Sequence, residues 1–296
     1  MNIIADVETA FKAVNKRRSL IIPSLLLNLV FLGVILSFMF TSGFNGPAGK
    51  LLQLSLQYDE YTDGEFRDFL EVNGFDLAAE LAPLISIKTA VLFIVHLILL
   101  ILGAAYLTCA THCAAFNAAK GSKEPIIELT NRMFFKILGT VLLIAFMFII
   151  PSALVIIIGS AGFLINPLIG VLLMLIAICA FLYIITLVCL KTIFALPIIL
   201  NDKKSPVEAV KKSWNMTNRN LTRVGGVYLA LTAVSYFSTG IFAGPAYQAF
   251  LTLFVSSNIA VNAFVTLFIL IMIILASFAS TVSLTYLYVA YNTFKK

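Results

Sequence analysis

The chain alternates long apolar runs with short polar ones. Six runs are long enough to cross a bilayer, at 19–41, 84–117, 137–159, 168–200, 224–244 and 259–291. A helix needs about 20 apolar residues to span the hydrocarbon. No charged residue lies between Lys136 and Lys191, and none between Arg223 and Lys295. Each of these stretches is too long for one crossing, so each must reverse direction. Gly159-Ser160-Ala161-Gly162 and Asn166-Pro167 mark the first reversal. Gly240, Gly244-Pro245 and Ser256-Ser257-Asn258 mark the second. Glycine frees the backbone and proline fixes it, so both punctuate apolar runs.

Three short amphipathic stretches precede the odd-numbered spans. In 1–18, Ile3, Ile4, Val7, Phe11 and Val14 recur at helical spacing, with Lys12, Lys16, Arg17 and Arg18 as the polar complement. In 124–136, Pro125 stands near the start and Ile126, Ile127, Leu129, Met133 and Phe134 are apolar. The third, 205–220, carries the clearest start signal. Ser205 and Glu208 form a Ser-x-x-Glu capping box, with Pro206 at the first helical position. Val207, Val210 and Trp214 then share one face, while Lys211 and Lys212 emerge elsewhere. Helices of this kind lie in the headgroup plane, apolar face down. They are read as elbows that orient the next span, or as dedicated lipid or partner docking sites. The plan of elbow, span, outer turn and span repeats three times, which gives three helical hairpins.

Composition excludes a water-soluble globule. Of 296 residues, 61% are hydrophobic and 11% charged, against about 25% charged in ordinary soluble domains. Disorder is excluded as well, because it needs low hydrophobicity and high charge density. The expected fold is all-α, a single transmembrane domain over 1–296.

The net charge of +6 is unevenly placed. Lys and Arg concentrate in 1–18, 118–136, 191–223 and 295–296. The loop 42–83 carries Lys50 and Arg67 against Asp59, Glu60, Asp63, Glu65, Asp68, Glu71, Asp76 and Glu80. By the positive-inside rule both termini are cytoplasmic, in a multi-pass protein of the plasma membrane. The first apolar run is read as a retained anchor, being longer than a signal-peptide core.

The loop 42–83 is expected to fold as an acidic, helical extracytoplasmic cap. Its Asp59-to-Glu65 segment fails as a calcium hand, since Tyr61 and Leu70 occupy two ligand positions.

Candidate chemistry is sparse. Lys12, Lys16, Arg17, Arg18, Lys211, Lys212, Trp214, Arg219 and Arg223 are the expected contacts to anionic lipid headgroups, each basic residue being worth about 1 kcal/mol near such a surface. Asn28, His96, Lys191 and Asn262 are polar insertions in the spans, and such residues are functional candidates. Cys109, His112 and Cys113 share one helix face, but three ligands from one turn rarely complete a metal site, so they read as packing residues. Ala276, Ser280 and Ser283 form a small-residue face suited to close helix contact, internal or between copies. No span contains Asp or Glu, and no catalytic, phosphate-loop or nucleic-acid signature is present. No metal or cofactor is expected.

The segment Ser205-Pro206-Val207-Glu208-Ala209-Val210-Lys211-Lys212-Ser213-Trp214, followed by Asn215-Met216-Thr217, resembles a signature of six-span prokaryotic membrane proteins. These include the membrane domain beside some glycerophosphodiester phosphodiesterases. The opening Ala10-Phe11-Lys12 to Leu20-Ile21-Ile22-Pro23 is similar in style. The resemblance implies a prokaryotic plasma-membrane protein and names no catalytic residue. The chain carries no soluble phosphodiesterase domain, so that activity does not transfer. The expected function is a non-enzymatic accessory subunit or membrane-organising scaffold. Its expected partners are membrane lipids and a larger membrane-protein complex. The alternative is a small-solute transporter or lipid-handling protein with a cavity between the hairpins.

Overall fold

Backbone groups in hydrocarbon must pair within their own segment, which restricts an apolar chain to helices or a closed barrel. The structure is a computed structural model that describes residues 3–43, 86–238, 241, 242, 245, 249 and 259–295, and these residues contain no strand. The helices are α1 (Ile3–Lys16), α2 (Ile22–Ser42), α3 (Ile87–Lys120), α4 (Ile126–Ile165), α5 (Pro167–Thr192), α6 (Ala195–Asp202), α7 (Pro206–Arg219), α8 (Leu221–Ser238) and α9 (Ile259–Lys295). A 3-10 turn, Arg18–Ile21, joins α1 to α2.

Among the described residues, five stretches are long and apolar enough to cross a membrane: Arg18–Ser42, Ile87–Lys120, Ile126–Phe163, Gly170–Asp202 and Ala260–Lys295. The chain therefore has the character of a multi-pass membrane protein. The sixth expected crossing, 224–244, is not among them. Its helix α8 is described as far as Ser238, and most of the remainder lies outside the described residues. The expected acidic cap, 42–83, also lies outside them, apart from its first two residues.

One further expectation is corrected. The stretch 124–136 forms no separate elbow, because α4 runs unbroken for 40 residues from Ile126. Nothing between Ile126 and Lys136 ends a helix. The expected run 168–200 is matched by the stretch Gly170–Asp202, within which the helix is interrupted after Thr192 and resumes as α6. Pro197 accounts for the break: a proline lacks the N–H for the bond to residue i−4, here Ile193, and its ring clashes with that carbonyl.

The chain divides into two compact units. One comprises Met1–Leu20, Cys109–Ser235 and Thr281–Lys296. Its core is aromatic and small: Tyr286, Tyr288, Tyr291 and Phe194 are fully buried, as are Ala10, Val14, Ile198 and Ile199. Residues Cys109 to Ala118 of α3 are all buried. The Phe194 ring packs on Tyr291 at 5.8 Å and on Phe294 at 5.2 Å between centroids. Ser283 exchanges a hydroxyl hydrogen bond with Ser235 at 3.1 Å, so this end of the small-residue face packs internally.

In the same unit α4 and α5 form a tight hairpin. Asn166 caps α5, its side-chain oxygen accepting the Leu168 N–H at 2.8 Å, and Pro167 follows at the first helical position. The helices meet at Gly162 and Gly170. A Cβ on Gly162 would lie 2.9 Å from the Gly170 Cα, and one on Gly170 would lie 2.8 Å from the Phe163 backbone nitrogen. Beyond this contact α4 and α5 expose Ile149, Ile150, Ile156, Leu172 and Ile176.

The second unit comprises Ile21–Thr108 and Tyr236–Ser280. Its helices are apolar all round, as membrane spans are. Asn28 donates to the Ser277 hydroxyl at 2.8 Å, tying α2 to α9. Phe38 of α2 meets Phe93 of α3 edge-on at 5.7 Å. Phe31, Ile94, Leu102, Phe264 and Leu267 remain exposed.

Candidate functional site

The break between α5 and α6 strands backbone groups that a continuous helix would pair, since helix ends carry unsatisfied carbonyls and N–H groups. Helix α7 supplies their partners. The Ser213 hydroxyl donates to the Lys191 carbonyl at 2.7 Å and accepts the Phe194 N–H at 3.2 Å. The Thr217 hydroxyl reaches the Leu190 carbonyl at 3.2 Å and the Ser213 carbonyl at 3.0 Å. Ser213 and Thr217 are fully buried, with Ala209 beside them. At the start of α7 the capping box forms as expected: Ser205 accepts the Glu208 N–H at 3.4 Å, and Glu208 accepts the Ser205 N–H at 3.3 Å. Pro206 packs so closely on α4 that a Cβ on Gly139 would lie 3.3 Å from its ring.

The face of α7 that packs against the protein carries Ala209, Ser213 and Thr217, and the stripe of Val207, Val210 and Trp214, expected to face lipid, is only partly covered. Val210 is buried, but Val207 is 65% exposed and Trp214 half-buried. The same pattern recurs in the unit's other amphipathic stretches. α1 buries Ala10 and Val14 and leaves Ile4 and Phe11 exposed; α4 buries Leu129 and Met133 and leaves Ile127 and Phe135 exposed.

Lys191 lies in the last turn of α5, where its carbonyl is bonded by Ser213 of α7. The residue is 8% exposed. Its ammonium donates to the Asn218 side-chain oxygen and lies 5.7 Å from the centroid of the Trp214 ring. It takes part in no ion pair among the described residues.

A second polar node closes the unit. Asp202, at the end of α6, accepts from Lys212 of α7 at 2.5 Å, and from Lys295 and Tyr291 of α9 at 2.6 and 2.9 Å. A third fixes the α3–α4 connection. Gly121 adopts the left-handed conformation after α3, and Arg17 donates to the Gly121 and Ser122 carbonyls at 3.2 and 2.5 Å. A cation at a helix C-terminus also complements the helix dipole. Asn117 donates to the Glu124 carbonyl at 2.8 Å, and Arg132 pairs with the Glu124 carboxylate at 2.6 Å.

The expected headgroup contacts thus fall into two groups. Arg17 and Lys212 are engaged within the fold, and Lys12 pairs with Glu8 at 2.5 Å. Lys16, Arg18, Lys211, Arg219 and Arg223 are exposed and make no ion pair among the described residues.

The four polar candidates fall in different units. Lys191 belongs to the first unit; Asn28, His96 and Asn262 belong to the second. His96 is bracketed by two hydrogen bonds. Its Nδ1–H donates to the Leu92 carbonyl at 2.8 Å, and its Nε2 is hydrogen-bonded to the Ser37 hydroxyl at 3.1 Å. The Asn262 carbonyl accepts from Thr266 at 2.8 Å. His112 bonds the Tyr288 hydroxyl at 3.2 Å between buried Cys109 and Cys113. No cluster of three metal-ligating side chains forms among the described residues.

Ser213, Thr217, Asn218 and Asp202 carry this geometry and were not among the expected site residues. Ser213 stands in the 205–220 stretch singled out in the sequence, so its position was visible although its role was not. Comparison with family models, curated proteins and solved structures found no match to this chain.

Proposed function

We propose that this chain is a non-enzymatic integral membrane protein that crosses the plasma membrane six times with both termini cytoplasmic. It serves as a scaffold or accessory subunit holding amphipathic helices on the anionic inner leaflet. The observation that carries this reading is the locking of α7 into the α5–α6 break by Ser213 and Thr217. That lock turns Val207 and Trp214 outward at a fixed angle. Ile4, Phe11, Ile127 and Phe135 are likewise exposed from stretches rich in Lys and Arg. Apolar side chains beside exposed cations suit the boundary between acyl chains and headgroups. Lys16, Arg18, Lys211, Arg219 and Arg223 supply the charge.

Trp214 is the only tryptophan in the chain, so its fluorescence reports this face directly. In reconstituted vesicles, lipids brominated near the headgroup should quench Trp214 more than lipids brominated at the chain ends. Absence of quenching by either would overturn the interfacial reading. A reporter joined after Lys296 and found outside the cell would overturn the topology. Purification in mild detergent from native membranes should retain a membrane-protein partner; a bare monomer would remove the accessory-subunit role.

A further inference from the structure

We infer that Lys191, Lys211, Trp214 and Asn218 form a binding site for the phosphate group of an anionic phospholipid. The inference rests on the interfacial reading above and gives that surface a specific ligand class. A buried ammonium is costly unless it is paired and hydrogen-bonded. Around Lys191 the described residues offer only dipoles and no carboxylate: the Asn218 amide oxygen, the Trp214 ring face and the last turn of α5. The missing partner is an anion.

Helix geometry says where that anion comes from. Val207, Lys211, Trp214 and Asn218 recur at i, i+4, i+7 and i+11, so they share one face of α7. Val207, Lys211 and Asn218 are exposed. Asn218 spends its oxygen on Lys191, which leaves its NH2 group to donate outward. Lys211 adds an exposed ammonium on the same face, a turn from Trp214. A phosphate at this point would meet the Lys191 and Asn218 pair, with the long Lys211 side chain reaching it along the same helix face. Val207 and the Trp214 ring offer apolar contact to the glycerol and upper acyl chain of the same molecule. A free phosphate would use the cations but not this apolar surface, which favours the lipid.

The test uses the full chain in phosphatidylcholine vesicles with increasing phosphatidylglycerol, read by Trp214 emission. A saturable change is expected. Lys191→Gln should raise the half-saturating fraction about fivefold or more, as expected for one cation near an anionic surface, while Lys191→Arg should largely restore it. Asn218→Leu, at an exposed position, should weaken the response without unfolding the chain and covers the case in which Lys191→Gln fails to fold. Lys123→Gln removes the same charge away from α7 and should leave the response intact. A wild-type response that is absent, or unchanged in both Lys191→Gln and Asn218→Leu, overturns the inference. If inorganic phosphate alone reproduces the change and blocks the lipid response, the lipid assignment falls. Trp214 quenched equally in both lipid mixtures refutes this site but leaves the interfacial reading standing; Trp214 quenched in neither refutes both.

Discussion

The hydroxyl of Ser213 donates to the carbonyl oxygen of Lys191 at 2.7 Å, across 22 residues of sequence. The same hydroxyl accepts the Phe194 N–H. Ser213→Ala would strand both backbone groups in a fully buried position. Each orphaned group costs about 1–3 kcal/mol, so the variant should unfold at clearly lower temperature in detergent. Thr217→Val keeps shape and loses a longer bond, and its loss should be smaller. Equal melting temperatures for Ser213→Ala and wild type would show that α7 is held by other means.

The hairpin of α4 and α5 makes a steric prediction. Gly170→Ala places a methyl group 2.8 Å from the Phe163 backbone nitrogen, and overpacking of that kind costs about 1–3 kcal/mol. Gly225 lies in α8, where an added Cβ would meet nothing within 4 Å. Gly225→Ala should therefore stabilise the helix, by up to about 1 kcal/mol. Thermal unfolding of the two variants should move in opposite directions.

Asp202 joins α6, α7 and α9 through one carboxylate. Asp202→Asn leaves the Tyr291 hydrogen bond possible but removes the charge facing Lys212 and Lys295. Both lysines are partly exposed, so solvent screening limits the loss to about 1–2 kcal/mol. The gap between variant and wild type should narrow in high salt, because screening weakens the pairs in the wild type. Limited proteolysis should cut the last turn of α9 faster in the variant.

Asp6 predicts a pH dependence. Its burial against the unit raises the carboxyl above its ordinary value, and the Thr293 hydrogen bond offsets this only in part. One of its oxygens has no hydrogen-bond partner among the described residues. A carboxyl raised in the folded state binds its proton more tightly there than in the unfolded chain. Its contribution is thus most favourable below the unfolded value of 3.8 and is lost as pH rises through the folded value. Asp6→Asn should melt higher than wild type at pH 7, and the difference should shrink as pH falls toward 4. A constant difference across that range would contradict the assignment.

The apolar runs made the helices legible, because their length leaves few other backbone solutions. The α7 cap was legible too, since Ser205, Pro206 and Glu208 act within one turn. The seating of α7 was not. Ser213 and Thr217 are polar by type, and their value arises only beside a helix break some 20 residues away. Pro197 marks that break but sits inside a continuous apolar run. Asp202 is hidden for a similar reason: its partners come from α7 and from the far end of α9. The division at 136 failed because a change in charge is not a helix terminator. Lys191 and Trp214 each stand out in the sequence, but their pairing depends on tertiary packing that neither local pattern encodes.

The unbroken α4 has a mechanical consequence. Forty residues make a rod about 60 Å long, longer than a bilayer with its headgroups, at about 40–45 Å. With no joint at the leaflet surface, and only Pro151 as a point of weakness, the rod must answer any thinning of the membrane by leaning or by rising as a whole.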